Sequence, residues 1–196
     1  MEKQKNRKKQ IEKVVLGAIF TALVVLLQYL GAFIRFGPFQ VSLVLVPIVI
    51  GAAMCGAGIG AWLGFVFGMV VLINGDAAPF LAIDVFGTIL TVLLKGTACG
   101  LCAGLVFNAV EKFNKYVAVV VAAIVCPIVN TGIFLLGCIV FFMDAIREWG
   151  LSGGFDGTFQ YMILGLVGGN FLFEIASNIV LSPVIVRFLH IVKKNK

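Results

Sequence analysis

The chain has 196 residues, of which 61% are hydrophobic and only 12% are charged, and its mean hydropathy is +1.12. Soluble domains carry about 25% charged residues because water covers their surface, so this composition excludes an ordinary soluble domain. A membrane-spanning helix takes roughly 20 residues, which gives the chain room for about six spans. The formal charge of +6 comes from 15 Lys and Arg against 9 Asp and Glu.

The first 13 residues are basic and contain six Lys and Arg. Cations beside membrane spans are held on the cytoplasmic side and contact anionic lipid, so residues 1–13 are predicted to form a cytoplasmic tail rather than to bind nucleic acid. Residues 14–34 carry no charge. This stretch is longer than the apolar core of a secretory signal and lacks a clear A-x-A cleavage site, so we expect a first span that is retained.

The charge-free stretch that follows, residues 40–75, is too long for one helix and is predicted to turn at Gly56-Ala57-Gly58. Polar connections are expected at residues 74–84 and 144–157, the second rich in glycine. The predicted fold is an all-α membrane protein, a six-transmembrane-helix bundle that forms one domain over residues 1–196. Its spans are expected at about residues 14–34, 41–55, 59–73, 85–107, 116–142 and 161–186.

Six spans place both termini on one side of the membrane, and the distribution of cations agrees with cytoplasmic termini. Twelve Lys and Arg then lie inside, in the two terminal segments and in the connection near residue 112, whereas only Arg35 and Arg147 lie outside. This is the bias that the positive-inside rule requires. The outer connections are the longer ones, so we expect function to face outward.

Two ionisable side chains lie within predicted spans. Lys95 is about ten residues, or ~15 Å, from the start of the fourth span, and Glu174 has a similar depth in the sixth. A charge in hydrocarbon is unfavourable by a few kcal/mol, so such groups usually face a protein interior or a functional site. The two side chains are therefore candidates for an ion pair.

Amide side chains accompany these charges. Asn170, Glu174 and Asn178 recur at four-residue spacing and share one helix face, and Asn130-Thr131 is a polar pair in the fifth span. Polar groups in lipid need partners, so these helices are predicted to turn their polar faces toward one another. Two interpretations stay open: a structural ion pair held by amide hydrogen bonds, or a polar pocket for a small water-soluble molecule that opens outward. Aromatic residues also lie near the predicted outer mouth. Each one alone is best interpreted as an interfacial anchor, and together they are candidates to stack on a planar ligand or to seal the pocket: Phe39, Phe80, Phe86, Trp149, Phe155, Phe159 and Tyr161.

Small residues recur at four-residue spacing in three spans, which allows close approach of helices. For the glycine runs at 60/64/68 and 96/100/104 we expect packing within the chain. Ala18-x-x-x-Ala22 lies near the cytoplasmic end of the first span, where a partner membrane subunit has room to dock.

Several chemistries are not expected. His190 is the single histidine, so a histidine metal site and a Ser/His/Asp triad are excluded. Cys99-x-x-Cys102 has redox spacing but lies in a Gly/Ala-rich helix, where small packing residues are the better interpretation. The chain lacks the G-x-x-x-x-G-K-[ST] phosphate loop. We therefore predict a protein without a cofactor or enzymatic activity, which takes energy from a gradient or from another subunit.

The motifs resemble a known family. The chain is similar to the substrate-binding S component of an energy-coupling factor (ECF) vitamin transporter, most like the pantothenate-type branch, with riboflavin-type and folate-type members still open. The resemblance covers the six predicted spans and rests on Leu16-Gly-Ala-Ile-Phe-Thr-Ala-Leu23, Val41-Ser-Leu-Val-Leu-Val-Pro-Ile-Val-Ile-Gly-Ala-Ala53, Leu63-Gly-Phe-Val-Phe-Gly-Met-Val-Val71, Asn130-Thr-Gly and the Glu174/Asn178 pattern.

The resemblance implies an importer subunit in a bacterial-type inner, or plasma, membrane. Ala18 and Ala22 would dock the transmembrane coupling (T) subunit, which carries two cytoplasmic ATPases. Lys95 or Arg35 would be the countercharge of a carboxylate-bearing vitamin such as pantothenate. The implied substrate-binding residues are Asn130, Lys95, Glu174, Asn170, Asn178 and Arg35.

Two other functions compete with this interpretation. A gradient-driven secondary transporter usually has an internal repeat and broken helices, and we see no convincing repeat between the two halves. A membrane assembly subunit without a ligand would explain the cations equally well, but it would make the intramembrane polar groups purely architectural.

Overall fold

The computed structural model describes the backbone of residues 2–31, 35–36, 39–40 and 43–194. The described residues are almost entirely helical, which confirms the all-α prediction. A pair of two-residue antiparallel strands joins the first two helices. The elements are α1 (Glu2–Gly31), β1 (Arg35–Phe36), β2 (Phe39–Gln40), α2 (Leu45–Cys55), α3 (Ala57–Ile73), α4 (Ala78–Leu81), α5 (Val85–Val110), α6 (Lys115–Phe141), α7 (Met143–Ser152), α8 (Thr158–Gln160), a π-helical segment (Tyr161–Gly168) and α9 (Gly169–Lys194).

Four of these helical stretches are long and apolar enough to cross a membrane: Gln10–Gly31, Val85–Val110, Lys115–Phe141 and Thr158–Pro183. They coincide with the predicted first, fourth, fifth and sixth spans, with ends shifted by a few residues. Helices α2 and α3 are apolar but have only 11 and 17 residues, so the count of six spans stays a prediction. Residues 32–34 of the predicted first span and residues 41–42 of the second lie outside the described part of the chain.

Local signals in the sequence set several helix ends. Asp84 caps α5, because its side-chain Oδ1 accepts a hydrogen bond from the backbone N–H of Phe86 at 3.0 Å. Asn114 caps α6 through the N–H groups of Tyr116 and Val117. These side chains satisfy backbone donors that a helix leaves without partners. Between α2 and α3 the predicted turn is confined to Gly56, whose φ of 101° favours glycine.

Helix α5 lies at the centre of the bundle and packs most extensively on α3 and α6. The glycine runs explain the contact with α3: a side chain at Gly60 or Gly64 would overlap the backbone of Gly100 or Gly96, respectively. The predicted packing of these runs within the chain is therefore confirmed. Since the two backbones touch, residues of α3 and α5 that flank the glycines are held at fixed positions beside one another.

The second polar connection was predicted as a glycine-rich loop over residues 144–157, and this prediction is wrong for its first part. Residues Met143–Ser152 form helix α7, which buries Ile146 and Gly150. Its apolar residues recur with helical spacing, and that periodicity outweighs the glycines that follow in the sequence. Helix α7 thereby covers the end of the bundle at which α6 stops. We call this the loop end, defined by residues 74–84 and 142–157.

Candidate functional site

A cavity of about 210 Å³ opens among the helices toward the loop end. Typical small-molecule pockets run from about 300 to 1,000 Å³, so the cavity suits a small ligand. It is bounded by α1, α3, α4, α5, α6, the π-helical segment and α9. Its lining is mixed, with three charged residues, several amides and hydroxyls, and five phenylalanines: Gln28, Phe67, Val71, Gly75, Asp76, Ala77, Pro79, Phe80, Thr88, Thr91, Val92, Lys95, Asn130, Thr131, Phe134, Phe142, Leu166, Val167, Asn170, Phe171 and Glu174.

Lys95 projects from α5 into this cavity between two aromatic rings. Its Nζ atom lies 5.2 Å from the ring centroid of Phe134 and 5.7 Å from that of Phe67. Both distances fall within the range of a cation–π interaction. Two carboxylates, those of Glu174 and Asp76, line the same cavity. Lys95 and Glu174 thus line the same cavity, and an ion pair between them stays a prediction.

Asn130 and Asn170 add amide groups to the lining, from α6 and α9. The side chain of Asn130 is only 5% exposed. The Oδ1 atoms of Asn130 and Asn170 are buried, and no hydrogen-bond donor reaches them from the described residues. Buried polar atoms nearly always have a partner, so Asn130 and Asn170, which both belong to the cavity lining, each keep an acceptor that the described residues leave unused.

Asn178 was predicted to share this site, and the structure places it elsewhere. It lies one turn beyond Glu174 on α9, is fully buried and does not line the cavity. Its Nδ2 donates a hydrogen bond to the backbone carbonyl of Glu174 at 2.8 Å. Asn178 therefore bonds back to its own helix, and its buried Oδ1 atom, like those of Asn130 and Asn170, has no donor among the described residues.

Arg35 begins β1, but its side chain lies outside the described part of the structure. Whether Arg35 reaches the cavity stays a prediction.

Asp76 and Gln28 are cavity residues that the sequence analysis did not single out as a site. Gln28 Nε2 donates to Asp76 Oδ2 at 2.8 Å, and Asn74 Nδ2 donates to the same oxygen at 2.6 Å. The backbone N–H of Asp76 donates to Asn74 Oδ1 at 3.1 Å. Together these bonds fix the Asp76 carboxylate at the loop end of the cavity. The sequence contains one signal for this contact: Gln28 lies in an otherwise apolar span, and a polar side chain there needs a partner.

Aromatic rings pack against one another at the loop end of the cavity. Phe80, carried by α4, meets Phe142, Phe134 and Trp149 edge to face at centroid distances of 5.1, 5.5 and 5.5 Å. Phe80 and Trp149 belong to the predicted aromatic set. By contrast, Phe86 and Phe159 of that set are 71% and 61% exposed, as expected of interfacial anchors.

The last helical stretch reaches the cavity through a π-helical segment, Tyr161–Gly168, which was predicted as ordinary α-helix. Its Leu166 and Val167 line the cavity directly before Asn170 and Glu174. A π-helix is rare and short, and it occurs frequently at functional sites. The segment changes the angular position of the residues that follow, which sequence spacing does not reveal.

Comparison with known families decides which class of protein carries this cavity. Residues 12–186 match the family described as ECF transporter, substrate-specific component. The chain belongs to this family. It is thus a substrate-binding S component, a multi-pass membrane subunit of an importer and not an enzyme. The family implies a small-molecule substrate together with a transmembrane and an ATPase partner. Comparisons of the S component with curated proteins and with solved structures gave no match.

Proposed function

We propose that this S component binds a water-soluble vitamin or related micronutrient in the cavity around Lys95. The single observation that carries the proposal is the mixed lining at mid-span. A lysine between two rings, a glutamate and two asparagines line one cavity of about 210 Å³. An ionisable side chain within a membrane span is by default a sign of a functional site.

The proposed orientation places the loop end of the bundle outside the cell and both termini in the cytoplasm. Six spans, with α2 and α3 counted as two of them, support this arrangement through the bias of cations toward the termini. The cavity would then take up its ligand from outside. Uptake would be driven by ATP hydrolysis in the partner subunits, in a plasma membrane of the bacterial inner-membrane type.

The proposed docking surface for the coupling subunit lies on α1. Ala18 and Ala22 are both exposed there, one turn apart, and they allow close approach of another helix. Large apolar side chains with more than half of their surface exposed flank them: Ile11, Val14, Val15, Ile19 and Leu26. Either lipid or a partner helix can cover such a surface, and the two alanines favour the helix.

The identity of the vitamin is best tested by thermal unfolding of the purified protein with pantothenate, riboflavin, folate, thiamine, biotin, niacin and pyridoxine. A ligand at 100 times its Kd stabilises the folded state by about 2.7 kcal/mol. For a chain of this size that raises the Tm by about 5–11 °C. No shift with any of these compounds would contradict the proposal.

The same assay tests the site with Asn130→Ala. Removal of the amide leaves a polar group of the bound ligand without its partner, so we expect binding to weaken by about 1–3 kcal/mol. Ser177→Ala is the matched control, because Ser177 does not line the cavity and its hydroxyl donates to the backbone of Phe173. Unchanged affinity in Asn130→Ala would place the ligand elsewhere.

A further inference from the structure

A groove of about 560 Å³ lies between α6 and α9, at the end of the bundle opposite the loop end. It opens to the outside of the bundle, because Tyr116 is 59% exposed and Ile179 is 41% exposed. None of its lining residues belongs to the cavity around Lys95. The described lining is Tyr116, Val120, Ile179, Ser182, Pro183, Val186 and Arg187.

The groove crosses the ends of two helical stretches that are long and apolar enough to span a membrane. The stretch Lys115–Phe141 begins at this end of the bundle, and the stretch Thr158–Pro183 ends there. Ile179 lies within the second stretch, whereas Arg187 lies four residues beyond Pro183, or about 6 Å along a helix. The groove therefore runs from hydrocarbon depth to the level of the lipid headgroups.

The inner part of the groove is apolar. Val120, Ile179 and Pro183 contribute hydrocarbon surface there. Ser182 is the polar side chain among them, and its hydroxyl already donates a hydrogen bond to the backbone carbonyl of Asn178 at 2.8 Å. This part of the groove thus suits a hydrocarbon chain better than a water-soluble ligand.

The outer part of the groove carries positive charge. Arg187 lines it and is exposed, and Lys112 and Lys115 lie at the same end of the bundle. No acidic residue belongs to the described lining, and residues 184–196 contain neither Asp nor Glu. A guanidinium group presents N–H donors in a planar fork that matches a phosphate. Basic pockets between membrane spans are known to bind the headgroups of anionic lipids.

We propose that one anionic phospholipid binds in this groove, with its phosphate against Arg187 and an acyl chain along Val120 and Ile179. Tyr116, in the first turn of α6, lies at the interfacial level at which tyrosine is enriched. In the proposed orientation of the bundle, the lipid belongs to the cytoplasmic leaflet. The site goes beyond the proposed function, because it does not depend on what the cavity binds.

Native mass spectrometry of the full chain in a neutral detergent tests the headgroup on the unaltered protein. Phosphatidylglycerol and phosphatidylcholine with identical acyl chains are the probes, because they share the apolar part and the phosphate but differ in net charge. We expect one phosphatidylglycerol to stay bound at concentrations at which phosphatidylcholine does not. Equal binding of both lipids would overturn the proposal. Binding of neither would also overturn it and leave the groove to another occupant, such as a helix of a partner subunit.

A pair of variants locates the phosphate. Arg187→Gln removes the charge and keeps a long polar side chain, and we expect it to weaken phosphatidylglycerol binding about tenfold, because hydrogen bonds to charged groups are the stronger ones. Lys112→Gln is the control, since Lys112 is exposed at the same end but does not line the groove. An equal loss in both variants would indicate diffuse attraction to the membrane surface and would overturn the site.

A second pair locates the acyl chain without a change of charge. Val120→Phe narrows the inner part of the groove, and Val117→Phe is the control, because Val117 is exposed on the same helix and lies outside the lining. We expect weaker binding in Val120→Phe alone. Identical affinities would overturn the proposed path of the chain. The substituted side chains of both pairs are exposed, so folding of the variants is expected to be preserved.

Discussion

Substitution of Gly64 by alanine tests the contact that positions the cavity wall. Gly64 on α3 meets the backbone of Gly96 on α5, and a Cβ atom at Gly64 would overlap the Gly96 carbonyl oxygen. Ordinary contact begins at 3.4 Å, and the added atom would lie well inside that distance. Because its neighbour is backbone and not a flexible side chain, the two helices must separate.

The magnitude follows from a comparison with Gly132, at which an added Cβ meets no atom within 4 Å. Both glycines lie inside helices, so alanine brings each variant the same gain in helix propensity, about 0.8–1.0 kcal/mol. The gain cancels in the difference between Gly64→Ala and Gly132→Ala. What remains is the penalty for overpacking, about 1–3 kcal/mol, which for a chain of this size is a Tm difference of about 2–12 °C.

Thermal unfolding of both variants in the same detergent measures this difference. Ligand affinity provides a second readout, because Phe67 on α3 and Lys95 on α5 flank the contact and line the cavity together. We expect Gly64→Ala to lower the Tm and the affinity relative to Gly132→Ala. Equal Tm values for the two variants would refute the close approach of α3 and α5.

Two further outcomes are expected. Ala18→Leu or Ala22→Leu should abolish uptake while the ligand affinity of the isolated subunit stays unchanged. Ile19→Leu is the control, because it changes a neighbouring side chain without adding volume. A parallel loss of affinity would contradict a docking role. Binding of a compound that raises the Tm should change the fluorescence of Trp149, since its ring lies 5.5 Å from that of the cavity residue Phe80. The measurement uses the Trp62→Phe variant, in which Trp149 is the one remaining tryptophan. Tryptophan emission that stays constant up to saturation with ligand would argue against a ligand close to Phe80.

The charged part of the cavity could be predicted from the sequence because a charge within an apolar span is conspicuous. Lys95 and Glu174 stand in otherwise uncharged stretches, and the high energy of a charge in hydrocarbon requires both to face the interior. The same reasoning predicts Asn130 and Asn170. Four of the six predicted binding residues consequently line the cavity.

Other parts of the site depend on contacts between distant segments. Gln28 and Asp76 are separated by 48 positions, and their hydrogen bond depends on the rotation of α1 relative to the connection after α3. Asn178 fits the four-residue spacing of the polar face, but that spacing does not tell how far the cavity extends along α9. The π-helical segment has no signature in hydrophobic periodicity, and the sequence therefore predicts regular α-helix there.

The contact between glycines has a mechanical consequence. Where α3 and α5 meet backbone to backbone, no side-chain rotamers lie between them that can rearrange, so these helices form a stiff unit. The facing wall differs, because α6 contains Pro127 close to the cavity residue Asn130, and a proline removes one backbone hydrogen bond. We therefore expect a bound ligand to displace this part of α6 more than it displaces Lys95 on α5.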